Sequence, residues 1–345
     1  MIKNLKFAFS RLKNYTTPKL FYKSRFWSAF YYIFISDAFK REHQAVLAGK
    51  VRHIEQAEKT KNNYYMLTRN THRLEKGLLM RPRRDVFARD YIHETVDCFE
   101  GVWKDNIGEF ENPQLKWFHD VLTTYFETVG HDELINKLRV RFDQVVKENQ
   151  ITETENRSIP YYRNERTNIS YEDFFKLTQI RRSVRWFLKK SVPRDLVDKA
   201  ILAANQSPSA CNRQPFEYYI IDNPELVSMA VKLPMGTSGY AHNIPMLIVA
   251  VGNLEAYKEE RDRHLIYIDA SLSNMSLMLS LETLGLSSCS INWPDIESRE
   301  SQMDKFLKLN SHQRPVMCIG VGYPDPEGMV AFSEKKPLDK IRKYV

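Results

Sequence analysis

The chain has 345 residues, 43% of them hydrophobic and 27% charged, with a formal net charge of +8. That is an ordinary globular composition, long enough for a sizeable core and for more than one domain. Its four cysteines (Cys98, Cys211, Cys289, Cys318) lie far apart without CxxC spacing, which argues against a disulfide framework or a zinc site and fits a reducing compartment.

The excess charge sits at the front. Residues 1–50 hold ten Lys/Arg against two acids, Asp37 and Glu42, so the remainder is balanced. Aromatics are interleaved with these cations: Phe7, Phe9, Tyr15, Phe21, Tyr22, Phe26, Trp27, Phe30, Tyr31, Tyr32 and Phe34. Rings at headgroup level beside cations suit an anionic membrane surface, so residues 1–40 are candidates for peripheral attachment at its inner face. The longest apolar run, "FWSAFYYIFIS", has about half the roughly 20 residues of a spanning helix. No small-residue cleavage site follows it, so a secretory signal is not expected. The competing reading is a helix packed on the rest of the protein. No recognition motif accompanies the charge, so no specific nucleic acid is expected.

Residues 1–150 read as a helical region. "NTHRLEKGLLMRPRRD" (70–85) predicts a short helix capped by Thr71 and stopped near Gly77. Its His72, Arg73, Arg81, Arg83 and Arg84 either bind an anion or form a solvated turn. "DELINKLRVRFDQVVKENQ" (132–150) predicts a helix capped by Asp132, with Leu134, Ile135, Leu138, Phe142 and Val145 on one face. Residues 149–169 lack apolar periodicity and contain Pro160. The expected division is therefore 1–150, a linker at 151–170, and a second domain from 171 to 345.

In that second part Ser170 and Asp173 predict a helix cap before "YEDFFKLTQI". Helices at 193–206, 224–233 and 298–309 then mix with strands at 216–222, 244–252, 287–292 and 315–324. "YIDASLSNMSLMLSLETLGL" (267–286) reads as a central helix begun by Asp269, whose acid would face the helix dipole. Leu272, Met275, Leu277, Met278, Leu279 and Leu281 make it apolar nearly all round, which places it in a core or an interface.

Two stretches carry chemistry. "QIRRSVRWFLKKSVP" (179–193) puts Arg181, Arg182, Ser183 and Arg185 at the end of a helix, among apolar neighbours. One cation would answer the helix dipole. Three guanidinium forks with a hydroxyl suit phosphate oxygens. About 25 residues on, "SPSACNRQPFEYYII" (207–221) stiffens a loop with Pro208 and Pro215. That loop presents Ser209, Asn212 and Gln214, whose amides match the edge of a heterocycle. Phosphate at one end and a ring at the other point to a nucleotide-like ligand.

These stretches, with "DASLSNMSLMLSLETLGLSSCSINW", "PVMCIGVGYPDP" and "KKPLDKI" in the same order, resemble the nitroreductase family of FMN-dependent oxidoreductases over residues 171–345. The resemblance implies an α+β fold, a mixed sheet flanked by helices, and an obligate homodimer with FMN at the subunit interface. By that resemblance Arg181, Arg182, Ser183 and Arg185 form the first FMN segment, and Pro208, Ser209, Asn212 and Gln214 the loop reaching FMN from the partner subunit. Lys335 or Lys336 matches the late basic position near the phosphate, and Ser290, Ile291 and Asn292 lie beside the isoalloxazine. The "SCSINW" stretch lacks the glycine commoner at that place. Residues 1–170 lie outside the resemblance.

FMN carries the hydride chemistry itself, so no catalytic residue is assigned. Tyr240, in "GTSGYAH", is a candidate for the substrate face, while His242 and His264 read as structural or exposed. The expected activity is NAD(P)H-driven, ping-pong hydride transfer to a small organic acceptor, in a cytoplasmic homodimer. Two alternatives stand beside it. One is a flavin dehydrogenase or oxidase acting on a biosynthetic intermediate. The other is a non-catalytic, membrane-associated scaffold that keeps the fold.

Overall fold

The computed structural model describes residues 17–106, 112–148 and 157–345. Phe7, Phe9 and Tyr15, and residues 151–156 of the expected linker, lie outside the described residues.

The first described elements are α1 (Thr17–Phe21) and α2 (Arg25–Phe30), the latter running into a π-turn at Tyr31–Ile35. Ser24 caps α2 by accepting from the Trp27 amide. No side chain from 17 to 36 is buried. The rings instead pack on one another, Phe21 on Phe30 at 6.1 Å and Phe30 on Phe34 at 4.8 Å between centroids. Tyr32 packs in turn on Phe39, at 4.4 Å between centroids, just ahead of the next helix.

Helix α3 (Lys40–Glu58) buries Ala45, Gly49 and His53, one side chain per turn along a single stripe. A Cβ on Gly49 would stand 2.6 Å from the Leu254 carbonyl carbon, so only glycine lets the helix approach this closely. Ion pairs fix the docking: Arg41 to Glu297 and Asp304, both at 2.5 Å, and Lys50 to Glu260 at 2.7 Å.

Helices α4 (Tyr64–Leu78), α5 (Ile92–Asp105), α6 (Pro113–Thr128) and α7 (Glu133–Glu148) form a bundle. Its core includes Leu67, Leu74, Ile92, Phe99, Phe118, Tyr125, Ile135 and Phe142. Asp132 caps α7 as expected, its Oδ1 accepting from the Leu134 and Ile135 amides at 3.0 and 3.1 Å. The expected cap at Thr71 is wrong. The cap of α4 lies eight residues earlier, at Asn63, whose Oδ1 accepts from the Met66 amide at 2.8 Å. Thr71 is a buried mid-helix residue, and burial of Met66 and Leu67 carries the helix back past the expected start, while it ends at Leu78, beside the expected stop near Gly77.

Residues 157–170 contain no helix or strand. Ser170 then caps α8 (Tyr171–Ile180) by accepting from the Asp173 amide at 3.0 Å. Helix α9 (Arg194–Ala204), strand β1 (Phe216–Ile221), helix α10 (Pro224–Ala230) and strand β2 (Met246–Asn253) follow. Next come α11 (Leu265–Thr283), β3 (Ser287–Asn292), α12 (Glu297–Leu307) and β4 (Gln313–Gly322). The sheet order is β1-β2-β4-β3 and every pair is antiparallel. Every residue of β2 is buried, because helices cover both faces. Leu247, Val249 and Val251 face a core shared with Val227, Ala230 and Met303. Met246 and Ile248 face one shared with Val197, Ala200, Leu277 and Leu281. The architecture is α+β, with a helical region ahead of it.

Helix α11 divides its apolar surface. Leu277 and Leu281 are fully buried, whereas Ile268, Leu272 and Met275 are 52%, 45% and 38% exposed. Asp269 does not begin this helix, which starts one turn earlier at Leu265. A short helix α13 (Leu338–Ile341) lies in a tail that is exposed from Met329 onward.

Candidate functional site

The end of α8 delivers the first arginine, since Arg181 is its C-cap and its amide bonds to the Leu177 carbonyl. The backbone then runs beside β3. Ser183 forms a parallel bridge with Ser288, and the Val184 amide donates to the Ser288 carbonyl at 3.0 Å. Val184 and Phe187 anchor the segment in the core. A Cβ on Gly322 would stand 2.8 Å from the Phe187 ring, so that glycine makes room for the anchor.

With Val184 and Phe187 holding the backbone, the arginines between and beside them are left without carboxylate partners among the described residues. Arg181, Arg182 and Arg185 form no ion pair there. Arg181 Nε and Ser288 Oγ are buried without a hydrogen-bond partner. Buried polar groups are nearly always satisfied, and those that are not call for a partner. A row of guanidinium donors beside two serine hydroxyls fits a phosphate. Burial raises the Glu282 carboxyl above its usual range, against the pull of nearby Arg181.

Arg185 lies over the Tyr240 ring, 5.6 Å from its centroid. The Tyr240 hydroxyl is 3.8 Å from Cys289 Sγ. Burial and the neighbouring thiol push its pKa up to about 12, so it keeps its proton at neutral pH. His242 is exposed, and its ring stands edge-on to Trp186. His264 is exposed at the start of α11. On β3, Ser290 is half-buried and Asn292 exposed, but Ile291 points into the core. Any contact from Ile291 to a ligand would come from its backbone.

The 207–214 loop is held under strain. Cys211, Asn212 and Gln214 have φ of 55°, 56° and 49°, in the left-handed region that costs a non-glycine residue about 1–3 kcal/mol each. The bracing is visible. Ser209 Oγ accepts from the Gln214 amide at 3.1 Å, and Gln214 Nε2 donates to Asn212 Oδ1 at 3.3 Å. Asp269 accepts from the Ala210 amide at 2.9 Å, so the acid is a positioning residue for this loop. Burial raises its pKa, opposed by that bond and by Arg213. Helix α4 packs against the 210–212 turn from the other side. Pro208 is exposed, and Ser209, Asn212 and Gln214 are half-buried.

The protomer therefore joins the 181–185 segment to β3, but no hydrogen bond or ion pair among the described residues joins either to 209–214. Lys335 and Lys336 are exposed in the tail, and neither side chain forms an ion pair there. A cavity of about 940 Å³ opens beyond the segment's far end, lined by Lys189, Lys190, Pro224, His242 and Arg299. It does not include Arg181, Arg182 or Ser183, so it is separate from the phosphate-like row. No cluster of His, Cys, Asp or Glu suited to a metal occurs among the described residues. The sequence reading missed Ser288 and the bracing role of Asp269. An acid in the second turn of a largely apolar helix was the available signal for the second.

Residues 179–323 match the model of the Nitroreductase family. Iodotyrosine deiodinase 1 of Homo sapiens is 23% identical over 198 residues, covering 49% of this chain and 68% of the relative. Iodotyrosine deiodinase of Hydra vulgaris is 25% identical over 200 residues, covering 49% and 71%. Among solved structures, an FMN-dependent nitroreductase from Clostridium difficile R20291 aligns with TM-score 0.41 at 23% identity, covering 46% of this chain and 91% of its own. The family match begins at the arginine segment and ends at β4, so residues 179–323 form a nitroreductase-family domain.

Proposed function

We propose that the protein is an FMN-dependent oxidoreductase, working as a homodimer and driven by NAD(P)H, that reduces a small organic acceptor. The observation that carries this reading is the row of unpaired Arg181, Arg182 and Arg185 beside Ser183 and the unpartnered Ser288 Oγ, inside the family-matched region. Arg181, Arg182 and Ser183 would hold the phosphate and ribityl groups, with Arg185 next in line. Lys335 or Lys336 would add a late cation. Ser209, Asn212 and Gln214 would reach the ring from the partner subunit, and Ser290 to Asn292 would lie beside it. FMN supplies the hydride transfer, while this chain binds and orients it and keeps water away. Nicotinamide and acceptor would occupy the same face in turn.

The dimer is supported by apolar surface left open in the protomer. Phe174, Phe175 and Ile180 on α8 and Leu272 and Met275 on α11 are exposed, more than a lone soluble domain usually leaves uncovered. The proposed flavin domain is 171–345. The purified protein's absorbance spectrum is the first test. A yellow protein with stoichiometric FMN is expected, bleached by NADH or NADPH under nitrogen. Bleaching only by an organic substrate would favour the dehydrogenase or oxidase reading. A colourless protein that FMN does not reconstitute would favour the scaffold.

A second reading concerns attachment to an anionic membrane from the cytoplasmic side. No helix among the described residues is long and apolar enough to cross a membrane. Leu20, Phe26 and Phe34 are 72%, 71% and 72% exposed beside Lys19, Lys23 and Arg25, a pairing that suits the interface. Each cation near the surface adds about 1 kcal/mol, lost as salt rises. Full-length protein should sediment with anionic vesicles at low salt and less at high salt. Sedimentation that is absent at low salt would reject the attachment.

A further inference from the structure

Three arginines come together where the helical bundle touches the strained loop, and among the described residues their one ion pair is the long contact from Arg73 to Asp90. Arg69 and Arg73 lie on α4, which packs against the 210–212 turn, and Arg213 follows that turn. Arg69 Nη1 and Arg73 Nη1 both donate to the same acceptor, the Asn70 Oδ1 atom, at 3.5 and 3.4 Å. Asn70 is fully buried, and its Nδ2 donates to Glu94 at 3.0 Å. The amide thus stands between the carboxylate and the two cations. Asp90 reaches Arg73 only at 3.5 Å, from a position 78% exposed. Arg213 Nε is buried with no hydrogen-bond partner.

Each outer guanidinium has a ring under it. The Arg73 carbon is 3.5 Å from the Tyr91 centroid and the Arg213 carbon 4.9 Å from that of Tyr257. Stacking holds the plane of a guanidinium and leaves its donor edge available. Half-buried Arg69 feels both neighbours: burial lowers its pKa first, then Arg73 and Arg213, each acting more strongly than Glu94. Mutually repelling cations that are partly desolvated are costly unless an anion joins them. By contrast Arg83 and Arg84, from the next turn of sequence, are exposed. Of the basic residues in the 70–85 stretch, Arg73 is the one held against a ring beside other cations.

We propose that Arg69, Arg73 and Arg213 form an anion subsite between the bundle and the 209–214 loop, and that the molecule reduced at the flavin carries a phosphate or carboxylate group seated there. The substrate assignment rests on the flavin reading above; the subsite itself does not. It gives the region outside the family match a task, which is to supply a polar wall to the loop that reaches the cofactor.

The test is calorimetric titration of the full-length, flavin-loaded protein with inorganic pyrophosphate and, separately, with succinate. Wild type should bind at least one of them, and which one binds tells phosphate from carboxylate. Arg69→Gln and Arg213→Gln should each weaken that binding about tenfold or more, and in Arg69→Gln the flavin absorbance per chain should be unchanged. Arg213→Lys should recover part of it. Absent binding by wild type, or unchanged affinity in both glutamine variants, overturns the subsite. Should a glutamine variant fail to fold, Arg69→Lys and Arg73→Lys give the same reading, because they keep the charge and lose the fork. If the protein proves to hold no flavin, the same titration runs on the flavin-free chain with Arg181→Gln alongside. Loss in Arg181→Gln alone would place the anion at 181–185 and sink the subsite. Loss in Arg69→Gln would leave the subsite standing while the flavin reading falls.

Discussion

The bundle of α4 to α7 and the sheet domain treat their apolar residues differently. In the bundle, Leu67, Leu74, Phe118, Leu122 and Tyr125 are wholly buried, and the four helices complete one core among themselves. The sheet domain buries β2 on both faces, yet leaves Phe174, Phe175, Ile180, Leu202, Ile268 and Leu272 between 45% and 67% exposed. One half is finished as a protomer. The other has a full interior and an apolar outer face, the face that the proposed second copy would cover. The strained loop lies where the two halves meet, braced by Asp269 from the sheet domain and by α4 from the bundle.

This contrast can be broken by experiment. Phe118→Ala should cost about 3–5 kcal/mol of bundle stability, as for a large ring removed from a closed core. Chemical denaturation measures it, and a loss below 1 kcal/mol would mean that the bundle is not close-packed. Leu272→Lys should instead leave the protomer folded and weaken self-association by roughly a hundredfold, about 2.7 kcal/mol. Sedimentation velocity should show monomer, and flavin should be lost with the dimer. A variant monomer that retains FMN would remove the loop from the partner's site.

Arg181→Ala and Ser183→Ala should weaken FMN binding by roughly 1.5–3 kcal/mol for each charge-assisted bond lost. Unchanged flavin affinity in both would reject the phosphate assignment.

The smallest effect concerns the docking of α3. His53 is buried, and its Nδ1 sits 2.8 Å from the Glu255 carbonyl oxygen, so the neutral ring donates there. Burial first, and then Arg213, Lys258 and Arg69, lower its pKa below the usual histidine value. Below about pH 6.5 the unfolded chain takes up a proton that the folded one resists. The contribution is therefore complete above that pH and is lost progressively as pH falls towards the lower folded pKa. The drop in urea midpoint from pH 7.5 to 5.5 should be smaller in His53→Gln, with His312 accounting for part of the remainder, since burial lowers its pKa too. An equal drop in both proteins would show that His53 carries none of the linkage.

Much of the fold was legible because local signals agreed with burial. Asp132 and Ser170 cap the helices that they were expected to cap. Strand β3 occupies the predicted residues, since its short run is bounded by a helix end and by Trp293 and Pro294. The start of α4 was not legible. Asn63 and Thr71 are both competent caps, and only the bundle's demand for Leu67 in its core chooses between them. Nor did the sequence disclose α3 as a docked helix. Its buried stripe is Ala45, Gly49 and His53, three residues with little hydrophobic signal, and their fit depends on the backbone of Leu254, some 200 residues away.

By itself the sequence determined the arginine row, the proline-stiffened loop and the order of helices and strands from residue 171 onward, because each depends on neighbours within a few residues. It also determined that α11 would be apolar on more than one side. Tertiary structure alone decided which of those sides is core, and that Asp269 braces a loop instead of facing a dipole. It alone brought Arg69 and Arg73 to Arg213 across about 140 residues of chain. Contacts of that range are set by how helices pack on one another and on the sheet, and a periodicity of three or four residues carries no information about them.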